Sequence, residues 1–344
     1  FASLDVKDRR FLRVLDSEGK PLPGAEIIVV DEVADRVLAR GTTYGDGRVP
    51  FYVPRATAES TKLGAGGDGG DTDADAENES DGAAEAVARR LILQASFGEQ
   101  TRRVRWDGVG EEFVLPLEEI EQDAEKIELD VLFLIDTTGS MQDEIEQIKN
   151  SLLSVTKRVR SLEREFDLRY GAVLYRDIGD EYVTKAHPFT GDIEAFDVAL
   201  KDVRADGGGD GPESLNQGLA VAIDHAEWRK TAAKVVFLIA DAAPHMDYEG
   251  DTSYSASVRE AVAKGIRVHS VAASGIDPVG SLVFRQIAQY TRGKFIFIEY
   301  GGDVKKSGEA HGVKGAKKAN NLDDIIYEQI KEEVGTWGRE VAAK

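Results

Sequence analysis

The chain has two regions with different patterns of hydrophobic and polar residues. Up to about residue 118, short apolar stretches alternate with turn signals at intervals typical of β-strands. The turn signals include Gly19 with Pro21, and later Gly45-Asp46-Gly47. We therefore predict an all-β module over residues 1–118. Its strands are predicted at Phe11–Leu15, Ala25–Asp31, Arg48–Val53, Leu91–Phe97 and Glu112–Leu117.

From Leu129 onwards, strands and helices alternate. Leu129–Ile135 is an apolar run apart from Asp130, as expected of a strand buried on both faces. A helix follows, with apolar side chains recurring three and four residues apart from Ile145 to Phe166. This order predicts a doubly wound, Rossmann-like α/β domain with a largely parallel sheet over residues 129–302. Further strands are predicted at Arg169–Leu174, Lys234–Ala240, Arg267–Ala273 and Lys294–Glu299, and further helices at Ile193–Val203, Ser214–Glu227, Tyr254–Lys264 and Val279–Thr291.

Three segments lie outside these patterns. The tract near residues 64–82 contains almost no apolar side chains, so we predict a disordered acidic insertion in the β module. Residues 119–128 are predicted to be a linker. Residues 303–344 are predicted to form a basic loop and a C-terminal helix, Leu322–Trp337, that packs on the α/β domain.

The acidic insertion offers one possible calcium loop, which we reject. Asp71, Asp73 and Asp75 have the first spacings of an EF-hand loop. Ala76 stands where that loop needs glycine, and no predicted helices flank it. A solvated acidic tract is the better interpretation.

Composition narrows the possible functions. The 63 acidic and 43 basic residues give a formal net charge of -20, which disfavours nucleic acid and anionic membranes as partners. The absence of cysteine excludes thiolate metal sites, cysteine nucleophiles and disulfides. No apolar run reaches the roughly 18 to 20 residues that cross a bilayer, so membrane insertion is not expected.

The start of the chain bears on its location. It begins at Phe1 without methionine, as expected of a processed export substrate or of a trimmed chain. We favour export, which predicts an extracellular, cell-surface or periplasmic protein of bacterial type, with the cytoplasm as the alternative.

The strongest chemical signal is Asp136-Thr-Thr-Gly-Ser140, directly after the first buried strand. In doubly wound sheets, ligands bind at the carboxyl ends of strands near the topological switch point. Asp136, Thr138 and Ser140 alternate, so an extended loop can turn all three oxygens toward one point. Oxygen ligands favour Mg²⁺, Mn²⁺ or Ca²⁺.

This spacing resembles the Asp-x-Ser-x-Ser signature of the metal-ion-dependent adhesion site in von Willebrand factor type A domains, with Thr138 replacing the first serine. The resemblance implies two further ligand loops. In Gly207-Gly-Gly-Asp-Gly-Pro-Glu213, it assigns the ligand role to Glu213, with Asp210 as a less favoured substitute. Leu238-Ile-Ala-Asp241 supplies the last acid, which in this family generally reaches the metal through water.

The same resemblance implies a function. The bound cation would accept a carboxylate from a protein partner, in adhesion or in a scaffold, and the chain would not be an enzyme. Asp143 and Glu144 lie on the first turn of the following helix, where the helix dipole is sufficient reason for acidic residues. Their alternative role is a second, adjacent metal site.

The β module also resembles a known family. The segments Leu15–Ala25 and Thr43–Phe51 resemble the carboxypeptidase-regulatory-like or transthyretin-like β-sandwich, chiefly through their turn residues. The resemblance implies that the short strands of this module pack as a β-sandwich.

Other interpretations of these motifs remain open. Asp136 and Asp241 could each cap a helix, although capping does not account for all three loops together. A phosphotransferase or phosphatase would use Asp136 as nucleophile, but Thr138 occupies the place of the second aspartate that such enzymes need. A nucleotide-binding fold would need a glycine-rich phosphate loop that is missing here.

Overall fold

Two β-sheets form the N-terminal part of the chain. The computed structural model describes residues 4, 6, 9–52, 90–106, 110–120, 126–162, 164–209, 211–273, 275–298 and 322–339. The predicted acidic insertion, Asp210 and the predicted basic loop lie outside the described residues. The N-terminal strands are β1 (Arg9–Leu15), β2 (Glu26–Asp31), β3 (Arg36–Thr42), β4 (Arg48–Tyr52), β5 (Leu91–Phe97), β6 (Gln100–Trp106) and β7 (Glu112–Pro116).

The strand order is β4-β1-β7 in one sheet and β3-β2-β5-β6 in the other. Side chains alternate between buried and partly exposed along β1, β2 and β5, as period-two strands require. Phe51 of β4 and Trp106 of β6 bring the two sheets into contact, with ring centroids 5.5 Å apart. The β module is therefore all-β among its described residues, whereas complete sandwich packing stays a prediction.

A six-stranded sheet forms the second part, in the order β10-β9-β8-β11-β12-β13. Only β10 runs antiparallel to its neighbour, so the prediction of a largely parallel sheet is confirmed. Its strands are β8 (Lys126–Asp136), β9 (Glu165–Tyr175), β10 (Thr184–Thr190), β11 (Ala233–Ala240), β12 (Ile266–Ala272) and β13 (Phe295–Phe297). The helices are α1 (Gln142–Arg160), α2 (Ile193–Lys201), α3 (Leu215–Ala220), α4 (Tyr254–Lys264), α5 (Pro278–Tyr290) and α6 (Leu322–Thr336).

The switch point of this sheet lies at β8. The chain passes from β8 to β9 on one side and later to β11 on the other. Helix α1 buries the predicted stripe from Ile145 to Val159 against the sheet, and α6 buries Ile326 and Ile330 in the same core. The carboxyl end of β8 therefore meets the carboxyl ends of both neighbours.

The structure departs from the sequence-based expectations in several places. Strands β3, β6 and β10 were not predicted, and all three lie at sheet edges. An edge strand buries less of its surface, so its apolar pattern is weak. The predicted helix Ser214–Glu227 is a short α3 followed by a π-helix at Val221–His225. The predicted apolar stripe of the first helix extends beyond the end of that helix, because α1 ends at Arg160 and Phe166 belongs to β9.

The β module packs against the amino-terminal edge of the parallel sheet. The Thr42 hydroxyl donates to the carbonyl of Ala263 at 2.7 Å, and Tyr52 stacks on Tyr290 with centroids 4.1 Å apart. The Arg292 guanidinium donates to both Asp46 carboxylate oxygens, at 2.9 and 2.7 Å. These contacts, made by described residues of the β module, lie away from the carboxyl edge of the sheet.

Asp46 is a buried carboxylate that stabilises this interface by pairing with Arg292. Burial alone would raise its pKa, but hydrogen bonds from Arg292 and its charge outweigh that effect and lower the pKa from 3.8 to about 2. The carboxylate therefore stabilises the fold above about pH 4, and this contribution is lost as the pH falls toward about 2.

We predict that Asp46→Asn lowers the free energy of unfolding by about 2 to 3 kcal/mol at pH 7, because it removes the carboxylate that pairs with Arg292. Urea unfolding of both proteins from pH 7 to pH 2 measures the effect, and the difference should shrink below about pH 4. Glu18→Gln, at an exposed ion pair with Lys20, is the control and should change little. A difference that is absent at neutral pH would contradict the prediction.

Candidate functional site

The first loop of the site follows β8 and is held by its own aspartate. Asp136 is fully buried, and its Oδ1 accepts hydrogen bonds from the Thr138 amide at 2.9 Å and from the Thr138 hydroxyl at 2.7 Å. Asp136 Oδ2 is buried and has no hydrogen-bond partner among the described residues. This carboxylate orders the turn with one oxygen and leaves the other without a partner.

The second loop crosses directly over the first. The Gly139 amide donates to the carbonyl of Gly207 at 3.1 Å, and the Asp206 amide donates to the carbonyl of Thr137 at 3.1 Å. Gly208 has φ +65°, and a Cβ there would lie 2.7 Å from Thr138 Cβ and 2.8 Å from Glu213 Oε1. Glycine at this position thus lets Thr138 and Glu213 approach each other.

The third loop follows β11 and pairs with the second. The Glu213 amide donates to the carbonyl of Ala243 at 2.9 Å, and the His245 amide donates to the carbonyl of Glu213 at 3.0 Å. At the start of this loop, burial raises the pKa of Asp241, while the nearby Ser140 side chain lowers it. The structure therefore brings together all five residues of the predicted primary ligand set: Asp136, Thr138, Ser140, Glu213 and Asp241.

The buried acids of the site disfavour one another's charged forms. Burial raises the pKa of Asp136 to about 7 despite the hydrogen bonds from Thr138, and the charge of Asp241 adds to the rise. Burial raises the pKa of Glu213 to about 8, with further contributions from the charges of Asp136, Asp177, Asp180 and Asp241. Charging all of these carboxylates at neutral pH is costly unless a cation balances them.

A fourth loop, after β9, belongs to the site and was missed by the sequence analysis. Asp180 accepts from the Gly208 amide at 3.1 Å, and Asp177 accepts from Ser214 and Tyr248 hydroxyls, each at 2.8 Å. The available signal was an acidic segment directly after a predicted strand of the same parallel sheet, since such strands end at one edge.

Arg176 and Tyr175 are further residues that the sequence analysis missed. Arg176 is buried and donates to the carbonyls of Thr137 at 3.2 Å and Arg204 at 3.0 Å, which ties the first and second loops together. The Tyr175 hydroxyl is buried near the Asp136 carboxylate. Burial, followed by the charges of Asp136, Asp241 and Glu213, raises the pKa of Tyr175. Both residues therefore lie close to the candidate site.

The residues of the candidate adjacent site differ from each other. Asp143 is exposed on the first turn of α1, whereas Glu144 is buried. Burial raises the pKa of Glu144 to about 7, and the charges of Asp241 and Asp143 contribute. Glu144 therefore faces the same group of acids, while Asp143 lies in solvent.

The predicted ligand residues can hold a hard cation such as Mg²⁺ only if hydroxyl oxygens bind it together with the carboxylates. Among the described residues, no three His, Asp or Glu side chains are grouped closely enough to hold a metal ion by themselves. The predicted set combines carboxylates with the Thr138 and Ser140 hydroxyls. Buried Asp136 Oδ2 and Glu213 Oε2 both lack hydrogen-bond partners within the described ranges, as expected of oxygens that serve a cation.

Comparison with known proteins identifies the α/β part of the chain. Residues 130–299 match the family model of the von Willebrand factor A domain, and this part of the chain is such a domain. Domains of this class are generally protein-interaction modules without catalytic activity.

Two individual proteins are similar over part of the chain. Alpha-protein kinase vwkA of Dictyostelium discoideum is 32% identical over 118 residues, which are 34% of this chain and 19% of the kinase. The crystal structure of conserved hypothetical protein BatB from Bacteroides thetaiotaomicron has a TM-score of 0.41 and 14% identity, covering 61% of this chain and 99% of BatB.

We predict that Gly208→Ala destabilises the protein by on the order of 1 to 3 kcal/mol, because the new Cβ is strained at positive φ and collides with Thr138 and Glu213. Urea unfolding at neutral pH measures the loss. Gly209→Ala is the matched control, since a Cβ there meets nothing within 4 Å. Equal stability of the two variants would show that Gly208 is not needed for close approach of the loops.

Proposed function

We propose that the carboxyl edge of the von Willebrand factor A domain binds a divalent cation, Mg²⁺ or alternatively Mn²⁺ or Ca²⁺, and through it a carboxylate of a protein partner. The observation that carries the proposal is the convergence of three loops around buried carboxylate oxygens without hydrogen-bond partners. The domain class supports a protein-interaction role and supplies no sign of catalysis.

Each residue has a distinct role in this proposal. Asp136 would offer Oδ2 to the cation while Oδ1 keeps the loop in shape. Thr138 and Ser140 would contribute neutral hydroxyl oxygens, and Asp241, which lies near Ser140, would act through water. When bound, the cation supplies an electrophilic centre that an incoming carboxylate can reach.

Glu213 changes the affinity for the cation and the affinity for the partner in opposite directions. A glutamate in this position adds negative charge, which strengthens retention of the cation. The same charge weakens the attraction between the cation and a partner carboxylate. Asp177 and Asp180 add further negative charge near the site, as their contribution to the raised pKa of Glu213 indicates. They therefore also strengthen retention of the cation and weaken its attraction for a partner carboxylate.

The location of the protein stays a prediction. Within the described ranges, no helix is both long enough and apolar enough to span a bilayer. We propose an extracellular, cell-surface or periplasmic role in adhesion or as a scaffold, consistent with the added β module.

We predict that Asp136→Asn abolishes high-affinity Mg²⁺ binding while the protein still folds. Loss of a direct ligand should weaken binding by more than the roughly 10- to 100-fold typical of an outer partner. Calorimetric titration of both proteins with Mg²⁺ measures the loss, and circular dichroism verifies folding.

Asp247→Asn is the control, because Asp247 is an exposed acid near the same edge, with 78% of its side chain accessible. Unchanged Mg²⁺ affinity in Asp136→Asn would overturn the proposed site. A second adjacent site would appear in the same titration as binding of more than one ion, reduced by Glu144→Gln.

We also predict that partner capture depends on the cation and on Asp136 together. Immobilised protein should retain specific proteins from an extract of the native organism with Mg²⁺ and lose them with chelator. Asp136→Asn should retain none of these proteins, whereas Asp247→Asn should behave as wild type. Retention that resists both chelation and Asp136→Asn would count against a metal-mediated contact.

A further inference from the structure

A cavity lies between the β module and the von Willebrand factor A domain. Its volume is about 380 Å³, within the size range of small-molecule sites, which often form where two domains meet. The β module contributes Glu26 and Thr42 to its wall, and the A domain contributes Ile223 and Trp228. The wall thus combines apolar surface with charged groups, on the edge of the sheet remote from the candidate metal site.

Lys234, near the start of β11, is the unusual member of this wall. It is 5% exposed, and its Nζ donates to the carbonyl of Lys230 at 2.9 Å. In the part of the chain that the structure describes, Lys234 forms no ion pair with a carboxylate. An ammonium group has three donors, so this single bond leaves hydrogen-bonding capacity unused.

The other two lysines of the wall already have partners. Lys230 pairs with Glu26 at 2.6 Å, and its side chain is 82% exposed. Lys264 pairs with Asp224 at 2.8 Å. Lys234 is therefore the lysine of this cavity whose charge the described residues leave without a direct counter-ion.

Two acids whose charges act on Lys234, Asp130 and Glu128, are engaged elsewhere. Asp130 is fully buried and accepts hydrogen bonds from the guanidinium groups of both Arg169 and Arg229. Glu128 accepts from Arg229 at 3.5 Å and also from Thr231. Their charges favour the ammonium form at a distance, while burial lowers the pKa of Lys234 to about 8. The amine is thus mostly charged at neutral pH.

A buried charge without a counter-ion is costly, and an anion in the cavity would remove that cost. We propose that the cavity binds a small organic carboxylate, whose acid group pairs with Lys234 and whose apolar part packs against Trp228 and Ala226. The proposal is independent of the metal site at the opposite edge. An inorganic anion would satisfy Lys234 but not the apolar wall.

Two matched pairs of probes test this site on the full chain: benzoate with benzamide, and indole-3-acetate with indole-3-acetamide. Saturation-transfer NMR and calorimetry at pH 7 measure binding, with inorganic phosphate as a further probe. We expect the carboxylates to bind in the millimolar range or better, and the uncharged amides to bind at least about tenfold more weakly. This comparison uses the wild-type protein, so it does not depend on how a variant folds.

Lys234→Met should lower carboxylate affinity by about tenfold or more, because it keeps the length of the side chain and removes the charge. Lys230→Met should lose less, since that ammonium is exposed and already paired. Equal binding of acids and amides, binding of phosphate but not of carboxylates, unaltered affinity in Lys234→Met, or no binding by any probe would each overturn the proposal.

Discussion

Parallel pairing of β8 with both β9 and β11 is the constraint on which the candidate site depends. The register places Asp136 opposite Tyr175 on one side and Ile135 opposite Ile239 on the other. All three strands therefore end at one edge, and their loops meet there without further adjustment of the chain. The hydrogen bonds between the loops then fix the positions of the acids.

At that edge the fold concentrates negative charge in a poorly solvated place. Asp136 and Glu213 are both buried, and each raises the cost of charging its neighbours. Folded proteins seldom keep such groups unless a partner compensates them. We interpret the arrangement as a site prepared for a cation, in which Arg176 holds the loops through their backbone carbonyls instead of neutralising the carboxylates.

The opposite edge of the sheet is organised differently. There the β module covers the ends of helices and strands, and the Asp46–Arg292 pair is satisfied by two hydrogen bonds. Lys234 lies at the same junction with a cavity beside it and only a carbonyl as its partner. The domain thus groups buried acids at one edge of its sheet and holds a buried lysine beside a cavity at the other.

The pattern of residues along the chain is sufficient to predict the class of the fold and the central residues of the candidate site. Strands β8 and β11 are buried on both faces and contain the apolar runs Val131–Ile135 and Val235–Ala240, and the turn after Asp136 is local, formed within three residues. Which distant groups complete these features becomes visible only in the folded protein. Edge strands have weak patterns because they bury little, and the roles of Asp180 and Lys234 depend on neighbours far along the chain. Strand pairing and burial between distant segments arise only when the chain folds. The local spacing of residues in the sequence therefore does not reveal them.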